Sequence, residues 1–357
     1  MIDSKTLDIE WINKVSVKNR KADKILVEKA IRALLLLEGL AKVDLNFVFK
    51  GGTALMLIMD SSKRLSIDID IILYREPENI EKLFREIISN QHFTRFELHH
   101  RTTESEIEKV HYKFFYNPVH KTQLEEEYVL LDILFEKLNY QQIIDLPVKS
   151  KFVISKDVEL TVKLPSKNDI LGDKLTAFAP NTTGIPYFKK EKSMSMEIIK
   201  QLYDIAGLVD LADDMEVLGN TFKTFATKEL HFRNKDHLNY KDVIEDIIQT
   251  SLCIVSRGAA GNGSFDELQS GIQRVSRFIF SEPIHLDKAI SMASKAAYIA
   301  SLIKYNREEI EIFNHPLQMK KWKIATPLWE RLNRLKKSNP EAFFYWFKIH
   351  ELTQNNK

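Results

Sequence analysis

Residues 49–73 read FKGGTALMLIMDSSKRLSIDIDIIL, in which an apolar run, a glycine pair, a helical stretch and an alternating stretch follow one another. After the glycines the apolar residues have helical spacing, whereas SIDIDIIL at 66–73 alternates with period two. The order predicted is therefore strand, glycine turn, helix, strand. Because successive strand side chains point to opposite faces, the isoleucines share one face, and Asp68 and Asp70 share the other.

Two aspartates on one strand face indicate a metal site. Their carboxylates lie within about 7 Å of each other, close enough to repel unless water or a cation lies between them. Magnesium prefers oxygen ligands and commonly keeps substrate phosphates in its shell, so Asp68 and Asp70 suit it. The alternative is a solvated strand face, which is the usual setting of exposed aspartates.

A third carboxylate, Asp132, interrupts the apolar run YVLLDILF at residues 128–135. An uncompensated charge in such a run would cost several kcal/mol. Asp132 therefore needs a partner, and the same metal is one candidate.

Gly51, Gly52 and Thr53 have the features of a phosphate site. Glycines let backbone amides approach a ligand closely, and the helix that begins there offers unsatisfied N–H groups and a positive dipole end to an anion. Thr53 either caps that helix or hydrogen-bonds a phosphate. Each feature is commonplace alone, but their ordered combination with Asp68 and Asp70 indicates phosphate binding.

The arrangement GGTAL…R-x-S-x-D-I-D resembles the first motif of the AbiEii-type nucleotidyltransferase toxins, a branch of the DNA polymerase β-like nucleotidyltransferase superfamily. The fourteen residues between Thr53 and Asp68 favour this branch over the wider superfamily. The resemblance implies a glycine turn that holds a nucleoside triphosphate (NTP) and aspartates that bind Mg²⁺, with Mn²⁺ as the alternative ion. For Arg64 a plain surface turn is the alternative. The predicted nucleotide-binding residues are Gly51, Gly52, Thr53, Arg64, Ser66 and Lys174, and the predicted metal ligands are Asp68, Asp70 and Asp132.

The second half of the chain carries two further charged residues of interest. Lys174, in NDILGDKLTAF, lies on an apolar helix face, either as a snorkelling lysine or as a cleft lysine that meets a triphosphate. Asp204, in IIKQLYDIAGL, follows Lys200 at i, i+4 spacing, which alone indicates a surface ion pair. Both match later motifs of the toxin family, KL-x-A and an aspartate followed by Ile or Leu. The resemblance thus implies a catalytic set of Asp68, Asp70, Asp132, Lys174 and Asp204.

Other basic residues and three histidines lie outside these motifs. Where the family often has an arginine, this chain has APNTTGIPYFKKEK, and a mobile basic segment is predicted to replace it: Lys189, Lys190 and Lys192. A C-terminal basic cluster with Trp322 and Trp329 is either an RNA surface or, in the favoured interpretation, a solvated helix face over buried tryptophans. Three histidines lack metal-ligand spacing and are assigned no chemistry: His99, His100 and His111.

Composition limits the classes of function. The chain has 52 basic and 50 acidic residues, a balance that neither supports nor excludes a nucleic-acid partner. The single cysteine, Cys253, is predicted to be a buried, inert thiol. The N-terminus lacks the apolar block of a signal peptide, and the longest apolar run, residues 33–37, is too short to span a bilayer. We therefore expect a cytoplasmic protein without a membrane partner.

The predicted fold class is α+β. Residues 1–165 are expected to form a polymerase β-like mixed sheet with flanking helices, and residues 166–357 a helical domain that completes the active-site cleft. Strands are predicted at 46–49, 66–73, 93–100, 109–116, 127–135, 151–154 and 158–164. Helices are predicted at 22–42, with Gly39 as a stop, and at 77–91, 167–179, 194–213, 213–229, 239–256, 264–281 and 284–305.

The predicted function is that of a magnesium-dependent nucleotidyltransferase, in which a hydroxyl attacks the α-phosphate of an NTP and pyrophosphate leaves. The resemblance implies an RNA acceptor, with the 3′ end of tRNA favoured, and a cognate antitoxin as partner. Two alternatives stay open. One is transfer to a protein or to a small molecule such as an aminoglycoside, and the other is a non-catalytic nucleotide-binding protein.

Overall fold

The computed structural model describes residues 1–43, 45–59, 64–99, 109–156, 160–280 and 282–355, apart from the side chains of residues 318, 327 and 328. The chain divides into two compact units. Unit 1 comprises Met1–Ser166 and Arg277–Pro283, and unit 2 comprises Lys167–Ser276 and Ile284–Lys357. The return of residues 277–283 to unit 1 was not predicted from the sequence.

Unit 1 contains a seven-stranded mixed sheet, which confirms the predicted fold class. The strands cross the sheet in the order β3-β4-β5-β2-β1-β7-β6. The pairs β2–β5 and β1–β7 are parallel, and the other neighbours are antiparallel. In chain order the strands are β1 (Val48–Lys50), β2 (Ile69–Leu73), β3 (Arg95–Leu98), β4 (Lys109–Tyr116), β5 (Glu127–Phe135), β6 (Ile143–Pro147) and β7 (Thr161–Pro165).

The helices of unit 1 surround a core that lies on one face of the sheet. Phe49, Ile71 and Leu131 of the sheet form one apolar cluster with Leu37 and Phe84 of the helices. The helical run at residues 33–37 is buried throughout, because α2 packs against the sheet on one side and α1 on the other. These helices are α1 (Ile9–Lys18), α2 (Lys24–Lys42), α3 (Gly51–Ile58) and α4 (Ile80–Asn90).

Gly39 does not end α2, contrary to the prediction. The helix continues to Lys42, and Gly39 lies where α2 approaches α4. A Cβ at this position would come within 2.9 Å of Ile87 Cγ2, closer than packed carbon atoms normally lie. The glycine therefore serves close packing between two helices and not helix termination.

In unit 1 one strand prediction was wrong, one strand was missed and one strand begins later than predicted. Residues 151–154 form a turn, in which Val153 N donates to Ser150 O at 3.2 Å, and their apolar side chains fill a second core cluster. The edge strand β6 was missed, because an edge strand with one paired side is only partly buried and shows weak alternation. The strand predicted at 66–73 begins only at Ile69.

Unit 2 is helical, as predicted, and also contains a small two-stranded hairpin. Residues 289–303 of its central helix are all buried. This helix, α10, packs against α6, α8 and α12. The elements are α5 (Lys167–Ala177), β8 (Phe188–Lys189), β9 (Lys192–Ser193), α6 (Ser195–Val209), α7 (Met215–Phe232), α8 (Tyr240–Val255), α9 (Phe265–Val275), α10 (Leu286–Lys304), α11 (Leu335–Ser338) and α12 (Pro340–Gln354).

Cys253 lies in α8 and is 2% exposed. Burial raises the pKa of its thiol above the usual value, which makes the reactive thiolate scarcer. The thiol is therefore suited to packing, as predicted. None of the described helices combines the length and the apolar character that crossing a bilayer would require.

Candidate active site

The glycine pair lies directly beside Asp70. Strands β1 and β2 are antiparallel with Lys50 opposite Asp70, so the chain leaves β1 at Gly51, next to that carboxylate. Gly51 has a φ of 83°, and a Cβ on it would lie 2.0 Å from Asp70 Oδ2. Any side chain at Gly51 would strain the backbone and displace the carboxylate, so only glycine fits here.

Asp70 and Asp132 are neighbours on adjacent strands. Strands β2 and β5 run parallel with Asp70 paired to Asp132, and paired strands lie about 4.8 Å apart. The residues that flank Asp70, Ile69 and Ile71, belong to the core between the sheet and the helices. The two aspartates therefore project side by side from the opposite face of the sheet.

His111 extends this row to a third strand. Strand β4 pairs His111 with Asp132, and His111 Nδ1 lies 2.7 Å from Asp132 Oδ1. An ionised carboxylate can only accept a hydrogen bond, so Nδ1 carries the proton and donates it. The side chains of His111 and Asp132 are 8% and 28% exposed. The sequence predicted that Asp132 needs a partner, and one such partner is His111. No chemistry was predicted for this histidine from the sequence.

Arg64 and Ser66 lie over Gly52. A Cβ on Gly52 would come within 2.7 Å of both Arg64 Nη2 and Ser66 Oγ. Leu65 N donates to Phe278 O at 3.0 Å. The segment that returns to unit 1 therefore helps to hold this arginine near the start of α3.

Thr53 is fully buried in α3, and its hydroxyl donates to the carbonyl oxygen of Asp68 at 2.6 Å. Thr53 does not cap the helix, since the N-cap residue is Lys50. A hydroxyl has one proton to donate, and here that proton ties α3 to the start of β2. A phosphate at this helix would therefore be bound by backbone N–H groups.

Asp68 precedes β2 and is exposed, whereas Asp70 is half-buried. In the part of the chain that the structure describes, no group of three or more His, Cys, Asp or Glu side chains is arranged to hold a metal ion. Mg²⁺ commonly binds one or two carboxylates and completes its shell with water and substrate phosphates. Asp70, which lies against Gly51, and Asp132 beside it fit that mode of binding and not a closed protein cage.

Alanine at the two glycines is expected to have unequal effects. Gly51→Ala places a methyl group 2.0 Å from Asp70 Oδ2 on a backbone with φ of 83°, so we expect a loss of about 1–3 kcal/mol in the free energy of unfolding. Gly52→Ala meets the ends of two flexible side chains, so we expect a loss below about 1 kcal/mol and a higher KM for NTP. Urea unfolding and NTP titration measure these effects, and equal destabilisation by both variants would contradict the expectation.

Lys174 of α5 and Asp204 of α6 form a buried ion pair within unit 2. Lys174 Nζ lies 2.9 Å from Asp204 Oδ2 and 3.1 Å from Gln201 Oε1. The side chains of Lys174 and Asp204 are 9% and 2% exposed, so the lysine does not snorkel to solvent. Asp204 holds the ammonium in place, while Lys200 pairs with Glu197 at 3.1 Å.

The remaining basic and histidine residues are also placed. Trp322 stacks on Phe347 with ring centroids 4.4 Å apart, and Trp329 meets Trp346 edge to face at 5.5 Å. These rings serve packing, as the favoured interpretation of the C-terminal cluster expects, but both tryptophans are half-buried and not fully buried. His100 lies outside the described residues. The predicted site residues of unit 1 are Gly51, Gly52, Thr53, Arg64, Ser66, Asp68, Asp70 and Asp132, and those of unit 2 are Lys174 and Asp204.

A mixed sheet with adjacent strand carboxylates beside a glycine-led helix agrees with the nucleotidyltransferase class that the sequence predicted. The sequence model of one family, described as nucleotidyl transferase AbiEii toxin of type IV toxin–antitoxin systems, matches residues 35–290, well over half of the chain. The chain therefore belongs to this family of nucleotidyltransferase toxins, which confirms the predicted resemblance. A comparison with curated proteins finds no match.

Three solved structures are similar to the chain at low sequence identity. A candidate nucleotidyltransferase from H. pylori is 17% identical with a TM-score of 0.42, and the match covers 80% of this chain and 97% of that one. JHP933 from Helicobacter pylori is 16% identical with a TM-score of 0.41, over 84% and 94% of the two chains. An antigenic nucleotidyltransferase-like protein from Paracoccidioides brasiliensis is 14% identical with a TM-score of 0.34, over 61% and 94%.

Proposed function

We propose that this nucleotidyltransferase moves a nucleoside monophosphate from an NTP to a hydroxyl of RNA, with the 3′ end of tRNA as the favoured acceptor. The reaction is proposed to depend on Mg²⁺, with Mn²⁺ as the alternative ion. The observation that carries the proposal is the pairing of Asp70 with Asp132 directly beside Gly51, where α3 begins.

In the proposed reaction, the oxygen of the acceptor hydroxyl forms a bond to the α-phosphorus as the bond to the bridging oxygen of the β-phosphate breaks. Pyrophosphate leaves with that electron pair, and the hydroxyl proton passes to water. Bound Mg²⁺ supplies charge neutralisation at the phosphates and activation of the attacking oxygen. Asp68, Asp70 and Asp132 would hold the ion, and His111 keeps Asp132 oriented through its Nδ1–H.

The triphosphate is proposed to lie at the start of α3. Backbone N–H groups of Gly52 and Thr53 would bind phosphate oxygens, with the positive end of the helix dipole behind them. Arg64 and Ser66, beside Gly52, would add side-chain donors. Lys174 is proposed to neutralise the charge that develops on the triphosphate.

A cognate antitoxin is the proposed protein partner, because the family is that of a type IV toxin–antitoxin system. The antitoxin would restrain nucleotide transfer until it is lost. The cytoplasm, where NTPs and tRNA meet, is the proposed location.

The proposal is tested by incubating the protein with tRNA, Mg²⁺ and each α-labelled NTP in turn. We expect transfer of label to tRNA and release of pyrophosphate. Label on a protein or an aminoglycoside, with none on RNA, would replace the RNA acceptor by the first alternative. NTP binding in calorimetry without pyrophosphate release, whatever acceptor is added, would replace the proposal by a non-catalytic nucleotide-binding protein.

The role of His111 is tested by substitutions that keep or remove a donor at Nδ1. His111→Ala is expected to weaken metal binding about 10- to 100-fold, because partners of metal ligands commonly contribute that much. His111→Asn keeps a donor near the position of Nδ1 and is expected to restore most of the affinity. Calorimetry with Mn²⁺ and a non-hydrolysable NTP analogue measures the effect.

The matched control is His231→Ala, which removes an imidazole that lies 2.9 Å from Asp236 but is 67% exposed. It should leave metal affinity unchanged. Wild-type metal affinity in both His111 variants would show that the contact with Asp132 has no part in metal binding.

A further inference from the structure

Residues 188–192, FKKEK, form the outer part of a hairpin in unit 2. Strands β8 and β9 form a separate two-stranded sheet, with Phe188 opposite Ser193 and Lys189 opposite Lys192. All five residues at 188–192 are exposed. A lone two-stranded hairpin is marginally stable in water, so this one depends on contacts at its base.

The base of the hairpin is firmly held. Met194 N donates to the carbonyl oxygen of Tyr187 at 2.8 Å, which closes the hairpin. Ser193 Oγ donates to Glu267 Oε2 of α9 at 2.6 Å. The tip is therefore presented from an anchored base.

Three features of this tip are locally unfavourable. Lys189 and Lys192 are directly opposite each other, and like charges in cross-strand pairs destabilise a hairpin. Lys190 has a φ of 54°, in the left-handed region that favours glycine. Phe188 is 51% exposed, so much of its apolar surface stays in water. Residues whose conformation or exposure is unfavourable, without a compensating contact nearby, commonly belong to functional sites.

The tip carries a net positive charge, because Glu191 offsets only one of its three lysines. In the part of the chain that the structure describes, the ammonium groups of Lys189, Lys190 and Lys192 make no ion pair or hydrogen bond. An anion between the paired lysines would relieve their repulsion. A ligand that offers both phosphates for the lysines and unstacked bases for the exposed aromatic ring is a single-stranded nucleic acid.

We propose that single-stranded RNA passes across this hairpin tip, with Lys189 and Lys192 on backbone phosphates at one face of the ribbon and Phe188 stacked on a base at the other. The inference rests on the proposed function, because it describes how the acceptor RNA is held. Lysines that contact phosphate position the strand, and the ring adds stacking that every base can provide.

The test measures the affinity of the full-length protein for a short fluorescent single-stranded RNA over a range of salt concentrations. The slope of log affinity against log salt is negative, and each lost phosphate contact makes it shallower by about 0.7. Lys189→Ala with Lys192→Ala is therefore expected to make it shallower by about 1.4. Phe188→Ala is expected to weaken binding about tenfold at an unchanged slope, because stacking releases no counterions.

Two further variants separate binding from folding. Lys190→Gly removes a charge but relieves the left-handed backbone, so we expect equal or higher stability together with weaker RNA binding. The matched charge control combines Lys82→Ala and Lys241→Ala, two exposed lysines outside the hairpin, and should leave the slope unchanged.

An unchanged slope in the Lys189 and Lys192 variant, or unchanged affinity in Phe188→Ala, would overturn the inference. The inference would also be overturned if the hairpin variants lost as much affinity for polyglutamate as for RNA. That result would identify an acidic protein as the partner. Transfer assays separate the two proposals. If the wild type labels RNA and the hairpin variants keep its KM for RNA, the inference alone fails. If the wild type binds RNA through the hairpin but labels none, the proposed function alone fails.

Discussion

Replacing Asp70 by alanine is expected to lower nucleotide transfer about 1000-fold or more, near the upper end of what one lost electrostatic contact costs in a transition state. Asp70 lies beside Asp132 on the next strand and against Gly51. Its removal would take away one of the three carboxylates that are proposed to hold the metal. The measurement is the initial rate of label transfer to RNA at saturating Mg²⁺ and NTP.

The control for this variant is Asp145→Ala, which removes an exposed strand aspartate from the edge strand β6. It should transfer nucleotide at the wild-type rate. Thermal unfolding of both variants shows whether the fold survives. A folded Asp70→Ala variant with activity within about tenfold of the wild type would contradict the assignment of Asp70 to metal binding.

Breaking the buried pair of unit 2 is expected to have the largest effect on stability. Asp204→Ala leaves the ammonium of Lys174 buried without its carboxylate, which typically costs 3–5 kcal/mol. A double variant, Lys174→Met with Asp204→Leu, removes both charges and is expected to recover most of that stability, because apolar replacements of buried pairs are often neutral. It should still lack transfer activity if Lys174 acts on the triphosphate.

Urea unfolding followed by tryptophan fluorescence suits this test, since three of the four tryptophans lie in unit 2. The matched control is Glu81→Ala, which breaks the exposed pair with Arg85 and should cost less than about 1 kcal/mol. Full activity in the double variant would make the buried pair purely structural. A loss below about 1 kcal/mol in Asp204→Ala would contradict the expected effect on stability.

Much of the fold could be predicted because its determinants are local. The glycine pair followed by helical and then alternating spacing predicted β1, α3 and β2 in the correct order. Helical periodicity also predicted the second half of the chain. The errors arose where the structure depends on distant segments. Gly39 allows the close approach of α4 and does not end its helix. Residues 151–154 form a turn whose apolar side chains fill a core.

The candidate site was less accessible to sequence reasoning. The interruption of an apolar strand showed that Asp132 needs a partner, but not which one. Alternation in β4 places His111 on the face opposite Tyr112, so the sheet face on which His111 lies could be predicted from the sequence. The register of β4 against β5 could not be predicted, because it depends on how the intervening loop, residues 117–126, connects the two strands.

By itself, the sequence predicted a phosphate and metal site, because glycines and aspartates at close spacing create their chemistry locally, and the resemblance of these motifs to a known family implied the class of enzyme. Only the tertiary structure decided which charges meet. Asp70 faces Asp132 because two strands 62 positions apart run parallel in one register, and Lys174 meets Asp204 because two helices pack together. Such contacts arise when whole strands and helices pack together. A buried charge is unfavourable unless an oppositely charged or hydrogen-bonding group lies next to it.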